Sequence, residues 1–205
     1  MSDELHQHII SKLTDGKQIP TREEVESNYP KRTLESDAEV TRFCPSPTGF
    51  VHIGALFTAL LCQTVARQTN GVYILRIEDT DKKREVEGAK QLIVEQLHRF
   101  GLDADEGLQA DGSVKGNYSP YVQSERRDIY LAYAIDLLKK GRAYPCFATS
   151  EELQAAVADQ QSKKLRPGYY GEWALWRNKT DEEIQEALHA DKPFVLRFKS
   201  HGSHE

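Results

Sequence analysis

The sequence predicts an α/β fold built on a doubly wound parallel sheet, of which this chain supplies the first half. Three observations lead to this prediction. Two apolar segments with the composition of strands, 39–44 and 72–77, alternate with two segments that have the 3.6-residue period of amphipathic helices. The links between them are short, and a glycine follows each predicted helix. In such sheets, right-handed crossovers bring the carboxyl ends of both strands to one edge.

The first strand is stopped by the Pro-Ser-Pro-Thr-Gly segment at 45–49. A helix is predicted over 53–68, because its apolar residues recur on one face of a helical period. These residues are Ile53, Phe57, Leu60 and Leu61. Asn70 and Gly71 tolerate the left-handed conformation that closes a helix, so the helix is expected to end there.

The second strand is apolar at nearly every position, as expected for a parallel strand that is buried on both faces. The next helix is predicted over 86–100 and ends at Gly101. Its apolar side consists of Val86, Ala89, Ile93, Leu97 and Phe100. The loops that follow the two strands, 45–52 and 78–83, must then face one crevice at the edge of the sheet.

The segments outside this region predict a looser arrangement of helices and strands. Residues 1–37 are polar, with one short amphipathic helix around Leu5, Ile9, Ile10 and Leu13. Residues 102–122 are rich in glycine and aspartate and are interpreted as a connection. A helix is expected from Ser124, as its capping residue, to about Lys140, with Ile129, Tyr133 and Leu137 in register.

Two further helices are predicted near 150–161 and 181–190, because each begins with a capping box, at Thr149 and Thr180. Short strands are expected at 143–147 and 193–199.

The composition is that of an ordinary globular chain, since 39% of the 205 residues are hydrophobic and 29% are charged. No apolar run approaches the roughly 18 residues of a membrane-spanning helix, and the acidic start is unlike a secretory leader. The net charge of −5 weighs against a non-specific nucleic-acid coat. Three widely spaced cysteines predict free thiols in a reducing compartment, the cytoplasm. Two of them, Cys44 and Cys62, are expected to be small buried residues.

The stretch most informative about function is 42–55, Arg-Phe-Cys-Pro-Ser-Pro-Thr-Gly-Phe-Val-His-Ile-Gly-Ala. It places a strand, a proline-stiffened turn and a His-x-Gly at a helix N-terminus. The N–H groups and dipole of such an end favour bound phosphate. His52 can donate hydrogen bonds to phosphate oxygens, and a glycine lets a nucleotide lie against the backbone. A lone His-x-Gly would be explained as well by an incidental surface histidine.

A second motif, Arg-Ile-Glu-Asp-Thr-Asp at 76–81, follows the second strand and therefore belongs to the same crevice. Three carboxylates this close repel one another unless cations are near. One interpretation is a solvated acidic loop paired with Lys82, Lys83 and Arg84, with Thr80 or Asp81 capping the next helix. The other interpretation is a substrate-binding loop.

Both motifs resemble the signatures of bacterial-type class I glutamyl-tRNA synthetases. The first is similar to the His-Ile-Gly-His signature, with Ala55 at its fourth position, and its Pro-Ser-Pro-Thr-Gly lead-in resembles the glutamyl branch in particular. The similarity covers about residues 39–199 and includes Tyr-Val-Gln-Ser-Glu-Arg at 121–126. Tyr-Pro-Lys-Arg at 29–32 resembles leader segments in a subset of the bacterial enzymes.

The resemblance implies a glutamate–tRNA ligase. Such an enzyme makes glutamyl-adenylate from L-glutamate and ATP, with Mg²⁺ on the nucleotide, and transfers the glutamyl group to the 3′ end of tRNA. The acceptor would be tRNA-Glu, with tRNA-Gln as a second candidate, and the enzyme would be a monomer. The implied domains are an N-terminal extension (1–37), the first half of a Rossmann-like catalytic domain (38–118) and part of an acceptor-stem-binding insertion (119–205).

The resemblance also assigns roles to residues of both motifs. Glu78 would bind the α-amino group of glutamate, Arg42 and Ser46 would hold the same substrate, and Asp79 and Asp81 would support the loop. His52 and Gly54 would be catalytic, and the nucleotide would lie against Pro45, Thr48, Gly49, His52, Gly54 and Ala55. Contacts to tRNA are implied for Arg126, Lys139, Lys140 and Arg142. Basic runs such as those at 139–142 and 163–166 are more often simply solvated faces.

No structural zinc is expected, because Cys146 has no second cysteine within motif distance, and His201 and His204 form only a loose pair. The chain contains no segment like the second family signature, Lys-Met-Ser-Lys-Ser, so it is expected not to make glutamyl-adenylate by itself. Three alternatives remain open at this point. They are a shorter relative that attaches glutamate to a modified tRNA base, a glutaminyl enzyme, and a non-catalytic binding module of the same fold.

Overall fold

A computed structural model describes residues 1–200, which form parts of two compact units. One unit is Glu23–Ile129, and the other joins Met1–Arg22 to the described residues from Tyr130 onward. The helices are α1 (Asp3–Thr14), α2 (Arg22–Asn28), α3 (Ile53–Gln68), α4 (Ala89–Arg99), α5 (Arg127–Lys139), α6 (Ser150–Ser162) and α7 (Asp181–His189). The strands are β1 (Val40–Phe43), β2 (Val72–Leu75), β3 (Gly107–Leu108), β4 (Val114–Lys115), β5 (Ala143–Cys146) and β6 (Val195–Phe198).

The Glu23–Ile129 unit contains the predicted parallel pair of strands. β1 and β2 run parallel, in a register that extends from Val40 opposite Val72 to Phe43 opposite Leu75. Two isolated parallel bridges, Ile74 with Glu106 and Ile77 with Val122, continue the pairing on the far side of β2. The core around this sheet includes Tyr73, Leu75, Ile77, Ile93 and Leu97. The predicted β–α–β–α order and the convergence of the two strand ends are therefore confirmed.

α3 has the predicted bounds, and Asn70 after it has a left-handed φ of 51°. The face that packs on the sheet is not the apolar face identified in the sequence. Ile53, Phe57, Leu60 and Leu61 are exposed, whereas Ala59 and Ala66 are fully buried. Alanine on the inner face lets the helix backbone approach the strands closely, and the larger apolar side chains therefore point outward.

α4 is shorter than predicted. Ala89, Ile93 and Leu97 are buried as expected, but Val86 and Phe100 lie outside the helix and are exposed. The helix begins after Gly88, whose φ is 77°, so neither Thr80 nor Asp81 caps it. The connection predicted at 102–122 contains the antiparallel pair β3 and β4, which the sequence pattern did not indicate.

The prediction that Ser124 caps a helix is wrong. Ser124 lies inside a short 3-10 helix, Gln123–Arg126, that precedes α5. Its hydroxyl donates a hydrogen bond to Asp79 instead of accepting one from the following backbone. In α5 itself the buried residues are Ala132 and Leu138, so the predicted register of Ile129, Tyr133 and Leu137 does not mark the inner face.

The other unit is built around the first helix. Leu5 and Ile9 of α1 are fully buried in a core with Leu138, Phe147 and Ile184, and Ile10 and Leu13 pack against it. β5 and β6 form an antiparallel pair, from Ala143 opposite Phe198 to Cys146 opposite Val195. Both predicted capping boxes are present, at Thr149 and Thr180.

Three smaller findings complete the comparison with the sequence. Cys44 and Cys62 are only half-buried, contrary to the expectation of buried residues, and Cys146 is buried. In residues 1–200 no helix is both long and apolar enough to span a membrane. The compact units have other bounds than the three predicted segments, and that division by function stays a prediction.

Candidate active site

The loops that follow β1 and β2 are joined by backbone hydrogen bonds. The N–H of Glu78 donates to the carbonyl of Pro45 at 2.9 Å, and the N–H of Val86 donates to the carbonyl of Pro47 at 2.9 Å. Pro47 is fully buried, so the turn between β1 and α3 is anchored at its centre. The two motifs therefore lie at one edge of the sheet, as their positions after parallel strands predicted.

His52 is the N-cap of α3. Its Nδ1 accepts a hydrogen bond from the N–H of Ala55 at 3.3 Å, which satisfies one of the free donors of the first turn. An imidazole that accepts through Nδ1 carries its proton on Nε2, so the exposed ring presents an N–H donor. Gly54 lies against this ring, because a Cβ at that position would be 3.1 Å from Nδ1 and 3.2 Å from Cε1.

A cavity of about 200 Å³ opens beside the N-terminus of α3. It is lined by Phe43, Pro45, Ser46, Thr48, Gly49, Phe50, Val51, His52, Ala55 and Ile93. Most of the predicted nucleotide-binding residues line it, and Ser46 does so as well. Complete small-molecule pockets usually measure roughly 300–1,000 Å³, so this cavity alone accommodates only part of a nucleotide. Gly49 has a φ of 141°, a conformation that favours glycine, and it shapes one wall.

Glu78 lies among cations at the end of β2. Its Oε1 is 2.7 Å from Nη2 of Arg76 and 3.9 Å from Nη2 of Arg42. Arg76 is largely buried, whereas Arg42 is more open to solvent. The arrangement offers a carboxylate and a guanidinium side by side, which is the charge pattern that would match the ammonium and carboxylate groups of an amino acid.

Asp79 points away from solvent and holds the loop together. Its side chain is fully buried and accepts hydrogen bonds from the N–H of Ser124 at 2.9 Å, the Ser124 hydroxyl at 2.7 Å and the ammonium of Lys90 at 2.8 Å. Lys82 approaches the same carboxylate at 3.2 Å. Burial by itself raises the pKa of Asp79, but the donors from Lys90, Ser124 and Lys82 outweigh it and hold the pKa far below its usual range.

The remaining charges of the acidic loop are paired within the loop itself. Arg84 donates to Asp81 at 2.6 Å, and this bond keeps the pKa of Asp81 below its ordinary value. Lys82 bridges Asp79 and Glu85. The predicted supporting roles of Asp79 and Asp81 therefore agree with their contacts. The aspartates thus form the ion-paired loop of the first interpretation, and substrate binding through Glu78 stays a prediction.

Three of the four basic residues suggested for tRNA contact have internal partners. Arg126 donates to the carbonyls of Tyr118 and Pro120, at 3.1 and 2.6 Å. Lys140 pairs with Asp136 at 2.7 Å, and the guanidinium of Arg142 lies 5.2 Å from the ring centre of Phe198. Lys139 is exposed at the end of α5. These contacts do not test an interaction with tRNA, and that assignment stays a prediction.

Sequence reasoning missed three residues that contact Glu78 or Asp79, namely Arg76, Ser124 and Lys90. Arg76 and Glu78 are two positions apart and so project from the same side of the extended backbone, a spacing from which their contact could have been predicted. The contacts of Asp79 with Ser124 and with Lys90 join residues that are distant in sequence, and no local pattern indicates them.

The described residues contain no group of three or more His, Cys, Asp or Glu side chains that could hold a metal ion. His201 and His204 lie outside these residues. A larger cavity, of about 600 Å³, is lined by Phe147, Thr149, Trp176, Phe194 and Arg197 among others. It lies in the other unit and brings together none of the residues of the two motifs, so the candidate site remains at the ends of β1 and β2.

Known proteins of similar sequence and structure indicate the family of the chain. The chain is 51% identical to the glutamate–tRNA ligase of Clostridium perfringens over 177 residues, which are 86% of this chain and 32% of that protein. It is 49% identical to that of Clostridium beijerinckii over 199 residues, 96% of this chain and 36% of that protein. The chain thus spans about a third of the length of the curated relatives it matches.

A crystal structure of a glutamate tRNA ligase from Elizabethkingia meningosepticum in complex with its amino acid is 40% identical, with a TM-score of 0.68 over 80% of this chain and 32% of that one. The glutamate-tRNA synthetase of Elizabethkingia anophelis gives a TM-score of 0.69. These matches confirm the Rossmann-like fold. A family model described as tRNA synthetases class I (E and Q), catalytic domain, matches residues 39–205. The chain therefore belongs to the class I tRNA synthetases of the E and Q group.

Proposed function

We propose that the protein is a glutamate–tRNA ligase and that the ends of β1 and β2 form part of its site for L-glutamate and ATP. The observation that carries the proposal is the joining of the two motif loops through Glu78 and Pro45. This bond joins the loop that carries Glu78 to the turn that leads from β1 to the helix end capped by His52. The relatives of the chain that carry the name glutamate–tRNA ligase support the choice of reaction.

In the first proposed step, an oxygen of the α-carboxylate of glutamate attacks the α-phosphorus of ATP. The bond between the α-phosphorus and the bridging oxygen breaks, and glutamyl-adenylate and pyrophosphate form. Glu78 pairs with the α-ammonium group, and the guanidinium of Arg42 forks a substrate carboxylate, with Ser46 beside it. These contacts hold the attacking oxygen in line, and alignment of two bound reactants lowers the barrier without an enzyme nucleophile.

The phosphates would lie at the N-terminus of α3, where the Nε2–H of His52 and the backbone donors of the first turn stabilise developing charge. The lack of a side chain at Gly54 keeps room for the His52 ring. Mg²⁺ would enter bound to the nucleotide, because phosphate oxygens are good ligands for it.

In the second proposed step, a terminal ribose hydroxyl of tRNA attacks the glutamyl carbonyl, and AMP leaves. The proposal includes tRNA-Glu as the acceptor, tRNA-Gln as a second one, a monomeric enzyme and a cytoplasmic location. Contacts from Arg126, Lys139, Lys140 and Arg142 to tRNA phosphates belong to the same proposal. The acceptor preference is a difference between two affinities that must be measured with both tRNAs.

The test is glutamate-dependent exchange between ATP and labelled pyrophosphate, with and without tRNA. It is made on the full-length gene product, because the 205 residues contain no Lys-Met-Ser-Lys-Ser segment. The proposal predicts exchange with L-glutamate and none with L-glutamine. Exchange with glutamine alone, or glutamate bound without any exchange, would refute it. In a second arm with labelled glutamate and tRNA, attachment of the glutamyl group to a base instead of the 3′ end would indicate a tRNA-modifying enzyme.

A further inference from the structure

Residues 29–32 form a strap, here called the N-terminal strap, across the loop that precedes the 3-10 helix. Arg32 donates two hydrogen bonds to the carboxylate of Glu106, at 2.5 and 2.6 Å. Its guanidinium lies 3.8 Å from the ring centre of Tyr118, and both charged side chains of the pair are largely buried. A forked, shielded arginine–carboxylate pair is a far stronger tie than an exposed one.

Two tyrosine hydroxyls, one on the strap and one outside it, anchor the strap by hydrogen bonds. The hydroxyl of Tyr29 donates to the carbonyl of Ser119 at 2.7 Å, and the hydroxyl of Tyr118 donates to the carbonyl of Pro30 at 2.8 Å. The rings of Tyr29 and Tyr118 are stacked, with their centres 6.4 Å apart. The strap is therefore part of the packed unit and is tied to residues far from it in sequence.

Glu106 connects the strap to β2 through hydrogen bonds. Its carbonyl accepts a hydrogen bond from the N–H of Leu75 at 2.9 Å, and its carboxylate accepts one from the hydroxyl of Tyr121 at 2.9 Å. The bond from Arg32 holds the pKa of Glu106 below its usual value, so the carboxylate is ionised at neutral pH. One side chain thus links the strap, β2 and the segment that begins at Tyr121.

The segment from Tyr121 to Ser124 runs beside the residues that lead into the candidate site. The N–H of Ile77 donates to the carbonyl of Tyr121, and the N–H of Gln123 donates to the carbonyl of Ile77, both at 2.9 Å. One residue further on, Ser124 makes its two hydrogen bonds to Asp79. Glu78 lies between Ile77 and Asp79, so both of its chain neighbours are fixed by this segment.

We propose that Arg32 of the N-terminal strap is a positioning residue for the glutamate site, acting through Glu106 and Tyr121 on the backbone that presents Glu78. The inference rests on the proposed function, because it takes Glu78 as the ligand of the substrate's ammonium group. It assigns a role to a segment that precedes both motifs and contributes no group to the crevice. Without Arg32, Glu106 loses its ion-pair partner, and the segment 121–124, which Glu106 holds through Tyr121, loosens.

The control is a second arginine–carboxylate pair at the other end of β2. Arg67 donates to Asp105 at 2.8 and 2.9 Å, and Asp105 accepts the N–H of Tyr73 at 2.9 Å. Arg67→Ala therefore removes the same type of ion pair from the same unit, but at the start of β2. The two variants are expected to loosen opposite ends of the strand.

The first readout is amide hydrogen exchange in the 205-residue chain, resolved at single residues by NMR. Arg32→Ala should speed exchange of the amides of Ile77, Gln123 and Ser124 by roughly tenfold or more and leave that of Tyr73 unchanged. Arg67→Ala should do the reverse. Arg32→Lys, which keeps the charge but cannot fork the carboxylate, should lie between Arg32→Ala and the unchanged chain. Uniform acceleration by both alanine variants, or unchanged exchange at Gln123 and Ser124, would overturn the proposal.

The second readout is the affinity of the full-length gene product for L-glutamate, measured by calorimetric titration of the unchanged full-length chain and of each variant. Arg32→Ala should weaken it by about tenfold, the equivalent of about one hydrogen bond, whereas Arg67→Ala should not. Equal affinities for Arg32→Ala and the unchanged chain would overturn the positioning role. If the unchanged chain binds no glutamate, the proposed glutamate site fails, and the exchange pattern alone decides whether the strap orders residues 77–79.

Discussion

Ser124 donates both its backbone N–H and its hydroxyl to the buried carboxylate of Asp79, at 2.9 and 2.7 Å. The relationship ties the loop after β2 to the 3-10 helix before α5, two segments that a sequence pattern treats as unrelated. Lys90 on the first turn of α4 completes the environment of the carboxylate. Asp79 is therefore the point where three elements of the Glu23–Ile129 unit are held together beside Glu78.

Asp79→Asn should destabilise this unit by about 2–3 kcal/mol, because a buried carboxylate with charged and neutral donors is replaced by a neutral amide. Urea unfolding of the chain measures the change. Asp81→Asn is the matched control, since Asp81 is paired with Arg84 at the surface, and it should alter stability little. Equal changes in the free energy of unfolding for the two substitutions would show that the burial of Asp79 is not the cause of its stabilising effect.

Acid should weaken the same unit. The pKa values of Asp79 and Glu106 are held below their usual range in the folded chain. Their stabilisation is complete above the unfolded values of about 4 and is lost as the pH falls toward the lower folded values. The unfolding free energy should therefore decrease from about pH 5 to pH 3, and Asp79→Asn should flatten part of that slope. Thermal unfolding at a series of pH values checks this, and an unchanged slope would contradict it.

Substitutions at His52 should separate its two roles. His52→Ala loses the helix cap, at a cost of about 1 kcal/mol in stability. It also loses the phosphate donor. This loss should raise the activation free energy of pyrophosphate exchange in the full-length protein by about 3 kcal/mol, which slows the exchange more than a hundredfold. His52→Asn keeps a capping oxygen, so stability should return without activity. Near-normal exchange in either variant would remove His52 from the mechanism.

Gly54→Ala should impair exchange through the His52 ring. The new Cβ would lie 3.1 Å from Nδ1, closer than most real contacts of this kind, so the ring must shift by a few tenths of an ångström and its capping hydrogen bond weakens. A loss of roughly tenfold in kcat is expected, with a small loss of stability. In the double variant with His52→Asn, the smaller side chain leaves room, and the two effects should not add. Strict additivity would exclude contact with the ring as the cause.

Glu78→Gln should act on glutamate and not on ATP. Loss of the charge that pairs with the ammonium group should raise the KM for glutamate by roughly 10–100-fold, the equivalent of about 1.5–3 kcal/mol, with the KM for ATP unchanged. Glu87→Gln, an exposed change of the same kind nearby, is the control. A parallel rise in both KM values would indicate that the loop had moved and that Glu78 does not contact the substrate.

Local sequence patterns predicted the bounds of helices better than they predicted which residues of those helices are buried. The bounds of α3 and both capping boxes follow from residues within one helix, and the structure confirms them. Phe57 is exposed and Ala59 is buried because the helix lies close to the sheet. The helical period of apolar residues carries no information about that distance. Ser124 has capping chemistry, but a distant buried carboxylate is a stronger partner for it. Short elements such as α2, β3 and β4 carry too few residues for a period to show.

The placement of α1 has a consequence for the order in which the chain folds. Leu5 and Ile9 precede the Glu23–Ile129 unit in the chain, whereas their core neighbours Leu138, Ile184 and Leu188 follow it. The Glu23–Ile129 unit is continuous and can fold as soon as it leaves the ribosome. The two apolar side chains of α1 stay without their core neighbours throughout that time, so nascent chains paused before Ile184 should be the ones that recruit chaperones or aggregate.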